Sequence, residues 1–330
     1  MPVPRSILYL TEADAQQTLS MSEVLDLAEV GIQADAAGRV AGDKFYMPVG
    51  EGGFIKPFSG YMAGEALAFV KTFSYFPNNP VRFGRGTTSS MVLLFDAETG
   101  LPVCLMEAGW ITAAKTGAST AVTASWLATP HVDRVTIFGA GTLGRMHLRA
   151  LSRRFALRQA FVVDLFPEVA AAYAAELGPE LDLPVEAVAL ADREQAVRRS
   201  EVIVTVTTGD QALVELDWLR PGSFVARLGS YQEVALDVIT GADKLVVDNW
   251  GYVRSRIPEL DMLDREGRFG RDDLYAEWPD IVSGSKPGRE SGDERIVYIA
   301  LGIWGEYAAI LPEVYRRARD MGLGVELALT

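Results

Sequence analysis

Residues 133–164 constrain the fold more than any other stretch. Val135 to Phe138 is a short apolar run, and Gly139, Gly141 and Gly144 follow it as G-x-G-x-x-G, where a strand would turn into a helix. Gly139 allows a tight turn, Gly141 leaves room for a pyrophosphate at the backbone, and Gly144 lets helix and strand pack closely. The free N–H groups and positive dipole end of the helix suit that anion. A second apolar run, Ala160 to Val163, ends in Asp164. That acid lies about 20 residues beyond the glycines, where a ribose-binding carboxylate belongs. This order predicts a dinucleotide site built from Gly139, Ala140, Gly141, Thr142, Leu143, Gly144 and Asp164. The competing reading is a glycine-rich turn without a ligand. Asp164 can accept from both ribose hydroxyls and would repel a 2′-phosphate, so NAD(H) is favoured over NADP(H).

From Val132 onward strands and helices alternate regularly. Strands are expected at 135–138, 160–163, 185–188, 202–206, 223–226 and 244–247, with helices at 142–154, 167–177 and 192–198. That pattern predicts a doubly wound sheet. Thr207, Thr208, Leu228 and Gly229 follow the carboxyl ends of two of these strands, where ligands lie in open α/β sheets. They are placed beside the nicotinamide half of the cofactor; ordinary turn chemistry is the alternative. Before this region the chain reads as α+β. Ser20 with Glu23 makes a capping box ahead of a helix carrying Val24, Leu27, Ala28 and Ile32. Short β-like pieces follow at 45–49, 53–55, 67–73, 90–95 and 102–106, with a hairpin connection at 96–100. The stretch 109–127 reads as a buried helix joining the two regions. Lys115 on its small-residue face either snorkels over apolar surface or aims a cation into a cleft. Further on, 257–266 and 272–277 read as helical, and 296–318 as one long apolar helix with Gly302 and Gly305 near its middle.

Composition narrows the partners. With 31 Lys+Arg against 44 Asp+Glu the formal net charge is −13, which argues against nucleic acid or an anionic membrane. No apolar run is long enough for a membrane span, and Met1 to Leu8 lacks a signal peptide's apolar core. A cytoplasmic location is expected. The single cysteine, Cys104, cannot make an internal disulfide. His131 and His147 are the only histidines, so no His/Cys metal cluster is expected, and His147 reads as structural.

Seven stretches together carry a resemblance: Ala68-Phe-Val-Lys-Thr-Phe, Met91-Val-Leu-Leu-Phe-Asp, Trp110-Ile-Thr-Ala-Ala-Lys-Thr-Gly-Ala, Ile137-Phe-Gly-Ala-Gly, Val204-Thr-Val-Thr-Thr, Arg220-Pro-Gly-Ser-Phe and Ala300-Leu-Gly. In order and spacing the chain resembles the ornithine cyclodeaminase/μ-crystallin family. The resemblance implies a Rossmann-type doubly wound NAD-binding domain at 126–305, inserted into an α+β substrate-binding and dimerisation domain at 1–125 plus 306–330, and a homodimer. It makes Lys71 the active-site lysine. Lys44 stands where many members carry an arginine, and Lys115 where most carry the arginine that holds the substrate carboxylate. Thr88 to Ser90 lie where members place polar residues near the substrate. Cyclodeaminases carry an aspartate shortly after the glycine matching Gly229. Here Tyr231 falls nearest that position, and Glu233 could partly replace the acid.

The chemistry expected is hydride transfer at an amine-bearing carbon. Lys71 is the proton carrier, its pKa lowered by Lys44, Lys115 and burial. Lys44, Lys115, Thr88 and Tyr231 would line the substrate. Lys115 offers a point charge without arginine's bidentate fork. The leading reading is an NAD(H)-dependent amino-acid dehydrogenase or imine reductase whose small-molecule substrate is an amino acid or the matching imine. A cyclodeaminase-like lyase and a non-catalytic ligand binder are the alternatives. Of the aromatic residues around the pocket, among them Phe58, Phe73 and Tyr231, most are expected in the core or a dimer interface, and a subset would favour a large or apolar substrate over alanine.

Overall fold

The computed structural model describes residues 6–329. Met1 to Arg5, part of the stretch read above for a signal peptide, and Thr330 lie outside the described residues. The chain divides into two compact units, one ending at Lys115 and resuming at Trp304, the other spanning Thr116–Ile303. The domain bounds read from sequence were 125/126 and 305/306.

The first unit opens with β1 (Ser6–Leu10), α1 (Glu12–Thr18), α2 (Met21–Ala36), β2 (Val40–Lys44), β3 (Met47–Val49), β4 (Gly53–Met62) and β5 (Leu67–Tyr75). It continues with α3 (Asn79–Phe83), β6 (Thr88–Asp96), β7 (Pro102–Glu107) and the start of α4 (Gly109–Leu127). Reciprocal capping boxes start α1 at Thr11/Asp14 and α2 at Ser20/Glu23, satisfying donors that a helix end leaves open. β4 runs past the expected end at Ile55, through Pro57 and Gly60 to Met62. Pairing on both sides, to β2 and to β5, overrides the local propensity against strand. The register Lys44↔Phe58↔Lys71↔Val92 crosses β2, β4, β5 and β6. Residues directly opposite one another point to the same face, so one row carries both lysines with Phe58 between them.

The second unit contains β8 (Arg134–Phe138), α5 (Thr142–Arg154), β9 (Gln159–Val163), α6 (Pro167–Leu181), β10 (Val185–Val188), α7 (Arg193–Arg199), β11 (Val202–Thr205), β12 (Phe224–Arg227), α8 (Leu236–Thr240), β13 (Lys244–Val247), α9 (Trp250–Val253), α10 (Pro258–Arg265), β14 (Ala276–Glu277), α11 (Trp278–Val282) and β15 (Ile296–Ile299). Its strands lie in the order β10-β9-β8-β11-β12-β15-β13-β14, and every named pairing is parallel. The order reverses between β8 and β11, which opens a crevice at their carboxyl ends. Ile203, Val225, Val247 and Ile299 form the core of this sheet with no exposure.

Two segments depart from expectation. Residues 272–277, read as helical, form a short 3-10 turn at Arg271–Asp273 and then β14. The long helix expected at 296–318 is strand β15 followed by α12 (Gly305–Asp320), after which β16 (Val325–Ala328) pairs with β1. Ile296-Val-Tyr-Ile is buried at every position, and an apolar run of that length has no period that separates strand from helix. Gly302 at φ +83° breaks the chain between the two elements. α12 then packs on α2, so closely that a Cβ on Gly31 would lie 2.3 Å from the Gly305 carbonyl oxygen. Among the described residues no helix is long and apolar enough to cross a membrane.

His147 on α5 is fully buried, as its structural reading expected. Its Nδ1 lies 2.7 Å from the Leu143 carbonyl, which can only accept, so Nδ1 carries the proton and Nε2 faces the Thr120 hydroxyl at 3.0 Å. Burial pushes the imidazole down to about 4. An unfolded histidine titrates near pH ~6.5, so acid favours the unfolded chain below that value. His147 should therefore contribute up to ~3 kcal/mol above pH ~6.5, lost as pH falls towards ~4. In thermal unfolding from neutral pH to pH ~4, His147→Gln should flatten that part of the decline. Parallel pH profiles for the two proteins would refute this.

Candidate active site

At the carboxyl ends of β8 and β11 lies a cavity of about 620 Å³. Gly139, Gly141, Asp164, Thr207 and Thr208 line it, together with Phe138, Val206, Leu190, Leu213, Leu165 and Phe166. Gly139 has φ +101°, a conformation that an L side chain resists. A Cβ on Gly144 would lie 1.9 Å from the Gly139 carbonyl oxygen, whereas one on Gly141 would meet nothing within 4 Å. The turn is thus closed at its first and third glycines and open at the second. No side chain caps the first turn of α5, which leaves its N-terminus to an anion. Asp164 accepts from the Ala140 N–H at 2.8 Å and the Phe166 N–H at 3.0 Å. These features fit the pyrophosphate and ribose of a dinucleotide. Ala140, Thr142, Leu143 and Gly144 shape the turn without lining the cavity. Leu228 and Gly229 do not line it either; the Leu228 N–H bonds the Thr205 carbonyl at 3.0 Å. The apolar wall of Leu165, Phe166, Leu190 and Leu213 carries no sequence motif, although Leu165 and Phe166 directly follow Asp164.

Beyond β11 and β12 a buried acid fixes the backbone. Glu233 has no exposure. Its Oε2 accepts from Thr205 Oγ1 at 2.8 Å and the Gly229 N–H at 2.7 Å. Its Oε1 accepts from the Thr207 N–H at 2.6 Å and Thr207 Oγ1 at 2.9 Å. Every lone-pair direction is occupied, so Glu233 does not offer the free loop acid that the sequence allowed. Beneath it Arg227 and Glu259, both fully buried, form a bidentate pair with contacts at 3.2 and 2.8 Å. Arg227 also donates to the carbonyls of Gly229 and Tyr231. Tyr231 is held through its backbone in this second unit.

The first unit holds the lysines. Lys71 on β5 is 1% exposed. Its Nζ donates to Ser90 Oγ at 3.2 Å and lies 4.9, 5.2 and 5.2 Å from the ring centroids of Phe58, Phe73 and Tyr307. Its pKa is held well below the ordinary lysine value, chiefly by burial, then by the charges of Lys56 and Lys115. Lys56 lies over the Phe73 ring at 5.3 Å. Lys44 shares the row of Lys71 two strands away and is half-buried. Thr88 is exposed at the start of β6 opposite Tyr75; Ser90, two residues on, is the polar partner of the amine. Lys115 is 4% exposed, 3.6 Å from a Glu306 carboxylate oxygen and 4.6 Å from the Tyr307 ring. Nothing local marks Tyr307 and Glu306 as site residues, because their stretch reads as the middle of an apolar helix.

A model of the ornithine cyclodeaminase/mu-crystallin family matches residues 6–322. The chain is similar to N-((2S)-2-amino-2-carboxyethyl)-L-glutamate dehydrogenase of Staphylococcus aureus, 31% identical over 274 residues that cover 82% of this chain and 80% of the relative. It is similar to a Delta(1)-pyrroline-2-carboxylate reductase of Bacillus cereus, 28% identical with 96% and 98% covered. Among solved structures it is similar to the Thermococcus litoralis Delta(1)-pyrroline-2-carboxylate reductase in complex with NADH and L-proline. That match has a TM-score of 0.92 and 28% identity, and covers 97% of this chain and 100% of the other.

Glu233→Gln turns an acceptor into a donor beside buried N–H and O–H groups. It should cost about 3 kcal/mol in urea unfolding. An unchanged midpoint would mean that the four hydrogen bonds are dispensable.

Proposed function

Since the chain belongs to the ornithine cyclodeaminase/mu-crystallin family, we propose that it is an NAD(H)-dependent oxidoreductase acting at the amine-bearing carbon of an amino acid or of the matching imine. The observation that carries this reading is the Lys71 amine. It is buried among three rings and held neutral far more readily than an ordinary lysine. A neutral amine can take a proton from the ammonium of an amino acid; once protonated, it can give one to an imine nitrogen. Ser90 Oγ, accepting from Nζ at 3.2 Å, keeps the amine oriented. The nicotinamide, when bound, supplies hydride acceptance in the first direction and donation in the second. Gly139, Gly141 and the uncapped start of α5 would receive its pyrophosphate, and Asp164 its ribose, which favours NAD(H) over NADP(H). Thr142, Thr207, Thr208, Leu228 and Gly229 remain candidate cofactor contacts. Lys44, Lys115, Thr88 and Tyr231 remain candidate substrate contacts, to which the Lys71 contacts add Ser90 and Tyr307.

A lyase outcome needs an acid for the distal amine. Glu233 is committed to four hydrogen bonds, which favours the oxidoreductase. We also read the chain as a cytoplasmic homodimer. Exposed apolar side chains on the first unit, Phe45 and Phe83 among them, support an interface between copies.

Purified protein with NAD+ and a panel including L-alanine, L-proline and bulkier amino acids, or with NADH and 2-oxo acids plus amines, should change the nicotinamide absorbance. Lys71→Ala should lower kcat by at least about a hundredfold while leaving NADH binding intact. Silence across the panel in both directions would overturn the reading. Unchanged turnover in Lys71→Ala would remove that residue from the mechanism.

A further inference from the structure

We propose that Glu306 is the positioning residue that keeps Lys115 a cation, so that the two buried lysines of the first unit divide the work: Lys115 holds an anionic group of the substrate while Lys71 carries protons. This rests on the reading of Lys71 given above. Two amines of the same chemistry are buried here, at 1% and 4% exposure, and both face one ring, with Nζ 5.2 and 4.6 Å from the Tyr307 centroid. Burial alone would strip a proton from each. Their surroundings differ in charge. Lys71 meets rings and the Ser90 hydroxyl, whereas Lys115 has a carboxylate oxygen 3.6 Å away.

The form of that carboxylate supports the assignment. Glu306 is 1% exposed, and neither oxygen receives a hydrogen bond. Glu233 in the second unit is fastened to backbone and hydroxyl donors. Glu306 has only a charge to answer. A buried carboxylate left without donors is costly, and its ion pair with Lys115 is what offsets that cost. Its position is fixed by the close approach of α2 and α12, where Gly31 and Gly305 nearly touch. The charged and titratable groups that bear on the pair are Lys115 itself on α4, Tyr307 on α12, Asp35 on α2 beside Gly305, and Lys71 on β5, whose amine feels the charge of Lys115. Arginine would stay charged without help; a lysine this buried needs the acid.

The test compares Glu306→Gln, Glu306→Asp and the double variant Lys115→Met/Glu306→Gln with the parent. In thermal unfolding Glu306→Gln should fall several degrees below the parent near neutral pH, roughly what a lost buried partner costs. That gap should narrow as pH rises towards ~10. Without the Glu306 charge beside it, the buried Lys115 gives up its proton at lower pH in the folded state than the unfolded amine does near ~10.4. The double variant should show no such narrowing, and Glu306→Asp should follow the parent. In calorimetry on the NADH-loaded protein, L-proline affinity should fall roughly tenfold or more in Glu306→Gln, increasingly at higher pH. NADH affinity should hold, and turnover should lose in KM before kcat. A stability gap that ignores pH, or an aspartate variant that fails like the glutamine variant, overturns the inference. If the parent itself binds no L-proline while the unfolding results hold, the functional reading falls and the charge pairing stands.

Discussion

Taking the Lys71 amine out of water is the physical constraint on which the proposed proton transfer depends. An ammonium in an apolar setting is penalised far more than a neutral amine. The chain surrounds this one with Phe58, Phe73 and Tyr307 and gives it one hydroxyl partner, Ser90. The rings return part of the lost solvation to the charged form through their negative faces. Burial and the rings thus act in opposite directions on the charged form, and burial is the larger influence. The antiparallel register of β4, β5 and β6 places the amine there, because it sets Phe58 directly opposite Lys71 and Ser90 opposite Phe73.

The second unit spends its buried charge differently. Glu233 ties the ends of β11 and β12 together through four hydrogen bonds, and the Arg227–Glu259 pair fastens the loop beneath. Fully satisfied networks of this kind rigidify the backbone around them. The wall of the nucleotide cavity at Thr207 is consequently held before any ligand arrives, and binding need not order it. The same residue type thus has opposite roles in the two units: Glu233 orders backbone, and Glu306 answers a charge.

How much could be read in the residues alone varied with the range of the interaction. The G-x-G-x-x-G turn, the strand before it, α5 and α4 lay where the sequence put them, because each is set by neighbours within a few positions. Asp164 reached the same cavity as Gly139 and Gly141 because a βαβ unit has nearly fixed dimensions. The stretch from Ile296 to Ala318 misled, since four apolar residues suit a buried strand and a buried helix equally. Read as one helix, that stretch gives no local sign that Glu306 and Tyr307 neighbour Lys115 and Lys71.

The sequence by itself determined the doubly wound nucleotide fold and the family, both encoded in local spacing and motifs, and it made Asp164 the candidate ribose acid and Lys71 the candidate active lysine. Only the tertiary structure decided what surrounds that lysine. Its neighbours come from β4, β5, β6 and α12, across more than two hundred residues of chain, and no local pattern specifies which side chain meets which once distant elements pack. That is why Lys56 bears on Lys71, why Glu233 is committed to backbone and hydroxyl donors, and why Lys115, read as a substitute for arginine, proves to have a carboxylate at its side.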